Sequence, residues 1–163
     1  MDTSVAIELR FAHSAADYAQ VRELLQEYVQ TLDVALDLQS FEQELAQLPG
    51  EYAEPHGCLV LAHVDGAPAG CCAMRPLVAA DYSNAAEMRR LYVRKPFRGF
   101  GLGRQLAQCV MEAAQIAGYS CILLDTLGTM DAARALYEDL GFEEIDAYYF
   151  NPHPDAFYFK ADL

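Results

Sequence analysis

The chain has 163 residues, 53% of them hydrophobic and 21% charged, the composition of a folded globular protein rather than a disordered or fibrous one. Its net charge of -13 disfavours binding to nucleic acid or to an anionic membrane, since both need positive surface. No apolar run approaches the roughly 20 residues of a membrane span, and the N-terminus lacks the basic start and apolar stretch of an export signal, so a single cytoplasmic domain over residues 1–163 is expected.

In chain order, Val5 to Phe11 reads as a strand, and Ser14 with Asp17 three positions later resembles the capping pair of a helix start. Tyr18, Val21, Leu25, Tyr28 and Leu32 then recur at three- and four-residue steps, one face of a helix. A shorter helix is expected from Ser40, with Gln43 completing a capping box, Phe41, Leu45 and Leu48 turned inward, and Pro49-Gly50 as the stop. Cys58–Val64 and Ala69–Val78, joined by Asp65-Gly66-Ala67-Pro68, predict a hairpin, and Met88–Val93 a third strand of that group. A helix over 103–117 ends at Gly118. A strand over Cys121–Leu124 is followed by a helix capped by Thr129, with Ala133, Leu136, Tyr137 and Leu140 on its inner face and Gly141 as its stop. Phe142–Ile145 and Phe157–Lys160 close the chain as strands. The sum is an α+β fold: a mixed sheet of about seven strands, about four helices, and a crossover helix between the fourth and fifth strands.

Cys58, Cys71, Cys72, Cys109 and Cys121 lack zinc-site spacing and read as reduced, buried thiols. His13, His56, His63 and His153 are scattered, so no metal is expected. The cations are not scattered. Residues 1–54 hold eleven acidic side chains against Arg10 and Arg22, whereas seven of the eleven Lys and Arg residues fall between Arg75 and Arg104, where an anion could be held.

Within that stretch, Arg98-Gly99-Phe100-Gly101-Leu102-Gly103 links a strand to a helix start. Amides left unpaired at a helix start, with the helix dipole behind them, suit a pyrophosphate, and Arg94, Lys95, Arg98 and Arg104 lie beside it. A dinucleotide fingerprint fails on spacing, because its last glycine would fall on Arg104 or Leu106. A nucleotide P-loop fails because Gly103 is followed by Arg104-Gln105.

The turn resembles the R/Q-x-x-G-x-G/A signature of the GNAT superfamily of N-acetyltransferases at every fixed position. Leu91-Tyr92-Val93-Arg94-Lys95-Pro96 precedes it where the family commonly has L-x-V-x-P, the proline here one place later, and Ala135-Leu136-Tyr137-Glu138-Asp139-Leu140-Gly141-Phe142 matches its later segment. The string Glu87 to Val93 is similar to small bacterial-type members.

The resemblance implies a GNAT fold and transfer of an acetyl group from acetyl-CoA, with no metal, directly to a primary amine on a small molecule or peptide. It allows a homodimer. The backbone of Leu91, Tyr92 and Val93 would pair with the pantetheine arm, and Arg98, Gly99, Phe100, Gly101, Leu102, Gly103 and Arg104 would hold the pyrophosphate. Tyr137 is the implied general acid for the leaving thiolate. Glu87 is the candidate base, while Arg75, Arg89 and Tyr148 are candidate acceptor contacts, with Arg90 a further carboxylate partner. Met130 stands where many relatives have a cofactor-contacting Asn. A GNAT-fold module that senses acyl-CoA without transferring it is the alternative.

Overall fold

A computed structural model describes residues 6–31, 38–79, 81–127, 131–149 and 156–163. Seven strands form one sheet in the order β1-β2-β3-β4-β5-β7-β6. They are β1 (Ile7–Phe11), β2 (Cys58–Val64), β3 (Ala67–Ala79), β4 (Tyr82–Val93), β5 (Cys121–Leu127), β6 (Glu143–Ile145) and β7 (Ala156–Asp162), with helices α1 (Ala15–Thr31), α2 (Leu38–Ala46), α3 (Leu102–Ile116) and α4 (Asp131–Asp139). All pairings are antiparallel except β4 with β5, which α3 joins as a crossover. The expected seven-stranded mixed sheet with four helices is the observed one.

Local chemistry sets the element ends. Ser14 Oγ accepts the Asp17 amide at 3.1 Å while Asp17 Oδ2 accepts the amides of His13 and Ser14, a reciprocal cap that starts α1. The β2–β3 turn is only Asp65-Gly66, both at positive φ, so Ala67 and Pro68 belong to the strand. β4 begins six residues before the apolar run that signalled it, because polar Tyr82, Ser83 and Asn84 extend the hairpin with β3. The α2 expectation needs correction: Ser40 lies inside the helix, so Ser40 and Gln43 are not its capping box. The inward face of Phe41, Leu45 and Leu48 is nevertheless buried. Val5, Leu32, Thr129, Met130 and His153 lie outside the described residues.

Two cores flank the sheet. On one face α3 and Tyr137 of α4 pack over Val60, Cys72, Met88, Leu124 and Phe159. On the other, α1 and α2 pack over Leu59, Leu61, Cys71, Ala73 and Tyr92. Among the described residues no helix is long and apolar enough to cross a membrane. The cysteines are free and mostly buried, and burial pushes the Cys58 and Cys71 thiols up to about 12.

Candidate active site

Strands β4 and β5 pair only over Ala85–Cys121, Ala86–Ile122 and Glu87–Leu123. Both then continue without each other, β4 to Val93 and β5 to Leu127. The result is a cleft in the middle of the sheet, along which the β5-facing backbone of residues 88–93 has no strand partner among the described residues. A β-bulge increases local twist and bends its strand. β4 carries one at Arg90, where four of its residues, Arg89 to Tyr92, span the three from Ala73 to Cys71, and Arg90 takes φ +61°.

At the cleft's α3 end lies the glycine turn. Gly99 and Gly101 take φ +94° and +76°, conformations an L side chain rarely adopts. Gly101 stands before α3 with no side-chain cap, and Gln105 is the first amide of the helix to return a bond, to the Gly101 carbonyl. The earlier amides of α3 therefore have no partner within the helix. Gly103 differs from the other two glycines. Its φ is ordinary, and a Cβ there would meet nothing nearer than Leu136 Cδ2 at 3.7 Å. Packing does not demand glycine at 103, which leaves bare backbone at the helix start, and a turn of this form fits a pyrophosphate. Arg98 donates to the Val93 carbonyl at 3.0 Å and Arg104 pairs with Asp139. Arg94, expected beside the turn, instead reaches back to Glu23, Glu27 and the Pro68 carbonyl. The Tyr92 hydroxyl likewise donates to Glu27, whereas Leu91 and Val93 pack towards α3.

The opposite face holds a lattice of ion pairs. Glu87 is 3% exposed, with Oε1 accepting Arg75 at 2.9 Å and lying 3.6 Å from Arg89, while Oε2 accepts the Tyr148 hydroxyl at 2.7 Å. Arg75 also holds Glu51 at 2.7 Å. The bulge reverses the alternation of β4, so Arg89 and Arg90 both turn to this face. Glu44 of α2 receives Arg89 at 3.1 Å and Arg90 at 3.0 and 3.1 Å, with the Tyr52 hydroxyl 3.1 Å from Arg89. Burial acts to raise the Glu44 carboxyl pKa, but the two guanidinium groups outweigh it and the net shift is downward.

Glu87, Arg75, Arg89 and Tyr148 are thus brought together as one cluster. Tyr137 is not part of it. It is buried on the α3 face, its ring 5.7 Å from Phe142 and 6.2 Å from Phe159. Burial first, then nearby acidic groups, raise its pKa, so its hydroxyl stays protonated.

Asp125 completes the site. It lies on β5 two residues beyond the last pairing, on the same face as Glu87, and accepts the Tyr149 hydroxyl at 2.7 Å. Tyr148, Tyr149 and Tyr158 stack edge-on at 5.2–5.5 Å, which fixes the two hydroxyls on the two carboxylates. No ion pair among the described residues involves Asp125, whereas Glu44, Glu51 and Glu87 each hold an arginine. Burial and then the charge of Glu87 raise the Asp125 pKa, against the Tyr149 hydrogen bond and the charge of Arg89, which lower it. Asp125 was missed from sequence, although a lone charge inside Cys121–Leu127 is a signal in itself.

Comparison with known proteins agrees with this architecture. The model of the acetyltransferase (GNAT) family matches residues 18–142. An uncharacterized N-acetyltransferase of Schizosaccharomyces pombe is 35% identical over 90% of this chain and 89% of its own length. The human N-acetylaspartate synthetase is 35% identical over 64% of the chain, which spans about a third (34%) of that protein. A Salmonella typhimurium structure solved with acetyl-CoA as its cofactor superposes with a TM-score of 0.72 over 97% of this chain and 94% of that one, at 21% identity, which speaks for the fold. With the family model spanning most of its length and a full-length relative agreeing, the chain belongs to the GNAT acetyltransferase family.

Proposed function

We propose that residues 1–163 act as one cytoplasmic domain that transfers the acetyl group of acetyl-CoA to a primary amine within a ternary complex. The observation that carries this reading is the parting of β4 and β5 after Glu87 and Leu123, with bare amides at one end of the cleft and, on the acceptor face, a carboxylate without an ion pair among the described residues. Acetyl-CoA supplies an acyl thioester. The amides of residues 99–104, with Arg98 and Arg104, hold its pyrophosphate, and the free edge of Leu91, Tyr92 and Val93 aligns its pantetheine arm. The human relative is named for an N-acetylated product, which supports an amine acceptor.

An ammonium must be deprotonated before it can attack, and the departing thiolate must be protonated. Glu87, the base expected from sequence, has three donors on its two oxygens. In this proposal it fixes Arg75 and Arg89, and Asp125 takes over as base. Asp125 takes one proton from the ammonium and releases it to solvent. As the nitrogen lone pair bonds the carbonyl carbon and the carbon–sulfur bond breaks, Tyr137 gives its hydroxyl proton to sulfur. It then recovers the remaining surplus proton from nitrogen, leaving amide and thiol. The test is thermal unfolding with CoA, ATP and NAD, followed by thiol release from acetyl-CoA with a panel of amines. Protection by CoA alone and amine-dependent thiol release are expected. Protection without thiol release from any amine would instead establish a sensing module.

A further inference from the structure

The bulge at Arg90 places two consecutive guanidinium groups around one point on the acceptor face. A non-glycine residue at φ +61° is strained, and what this conformation gains is the Arg89–Arg90 pair. Two guanidinium groups converging on one point make a carboxylate site, since each planar fork can offer parallel N–H donors. The site is filled by a carboxylate already: Glu44 accepts three hydrogen bonds of 3.0–3.1 Å there.

Glu44 differs from Glu87, the other carboxylate beside Arg89, in two ways. It comes from helix α2 rather than from the sheet, so releasing it breaks no strand pairing. It also lines a cavity of about 240 Å³, with Gln43, Gln47, Glu51 and Tyr52, into which its side chain could turn. At the cleft, Asp125 is the acidic group with no arginine partner among the described residues. The acceptor face therefore offers one cationic seat held by an exchangeable carboxylate and one anionic seat left open to a cation.

We infer that the acceptor is an amine carrying its own carboxylate, an amino acid, whose carboxylate replaces Glu44 between Arg89 and Arg90 while its ammonium turns to Asp125. The inference rests on the N-acetyltransferase reading above. Glu44 holds the arginine pair in shape before substrate arrives and yields to it, which makes it a competitor of the substrate. A polyamine or a lysine side chain within a peptide would fill only the Asp125 seat.

Matched acceptors test this: amino acids against their decarboxylated amines, with a polyamine and a lysine peptide alongside, read as kcat/KM for thiol release. Each amino acid is expected to exceed its decarboxylated partner by roughly 10- to 100-fold, because only its carboxylate bonds both guanidinium groups, while the partner leaves them to Glu44 and gains nothing there. Arg90→Gln is expected to shrink this ratio at least ~10-fold by the same reasoning, and Glu44→Gln, which weakens the competitor, to lower KM for the amino acid. Thermal protection by CoA equal to the parent's shows that each variant is folded, and Arg90→Lys stands in if Arg90→Gln is not. Equal use of the paired acceptors, preference for the polyamine or peptide, or an equal loss on both members of a pair in Arg90→Gln overturns the inference while N-acetylation stands. Thiol release with no amine at all overturns both.

Discussion

The donor and acceptor sides of the cleft are built in opposite ways. The donor side is backbone: one contiguous turn, Arg98 to Arg104, presents amides at a helix start, and what its glycines contribute is the lack of side chains. The acceptor side is side chains alone, drawn from α2, the turn after it, β3, β4, β5 and the segment before β7. A backbone cradle serves any ligand with the same pyrophosphate and tolerates change around it. A charge lattice in which arginines and glutamates share one another is specific, and one exchange alters it.

The largest expected effect lies where the lattice is incomplete. Asp125→Asn should lower kcat/KM by ~10²–10⁴, the range of a positioned base, with CoA binding retained. The parent should lose kcat/KM on acidification along a limb lying above the ordinary aspartate range, and the variant should lack that limb. The same substitution should raise Tm at neutral pH. The carboxyl pKa of Asp125 is higher folded than unfolded, so the unfolded chain binds fewer protons between the two values, and stability falls as pH rises through that window. Full cost applies above it, and Asn removes that cost. A Tm unchanged at pH 7 would contradict this account of the buried charge.

Tyr137→Phe comes next, with a kcat loss of about 10²-fold if its hydroxyl protonates the thiolate. Cofactor binding should persist, because the ring keeps its place between Phe142 and Phe159. Full turnover would reduce Tyr137 to a packing residue.

Gly103→Ala sharpens the contrast from the donor side. The protein has room for the methyl, and alanine is the better helix former by up to about 1 kcal/mol, so stability should hold or rise while acetyl-CoA affinity falls. Unchanged affinity by calorimetry would mean that the ligand does not approach this backbone. Ser14→Ala should have the smallest effect on function. Loss of the α1 cap should cost about 1 kcal/mol in denaturant unfolding and leave CoA affinity as it was.

This contrast also explains what was legible in the sequence. A contiguous backbone site leaves a contiguous signature, so the glycine turn and the strand and helix on either side could be read directly. The acceptor lattice joins residues as far apart as Glu44 and Arg90, and no spacing rule reports such a meeting. Strand alternation misleads there as well: it sends Arg89 and Arg90 to opposite faces, and only the bulge returns them to one. Glu87 was found because it begins the run leading to the turn, but its arginine partners, which decide whether it is a base, could not be seen. Polar residues at 82–84 hid the first half of β4 for a similar reason, since pairing with β3 rather than hydrophobicity makes them strand.

The central claim is that the cleft brings a thioester from one face to an amine on the other. Its most direct test is amine-dependent thiol release from acetyl-CoA, with the N-acetylated product weighed by mass spectrometry, for the parent and Asp125→Asn side by side. One acetylated amine per thiol in the parent, and a loss of about 10² or more in the variant at equal CoA occupancy, is the expected result. Thiol release that ignores the amine, or a variant as fast as its parent, would contradict it.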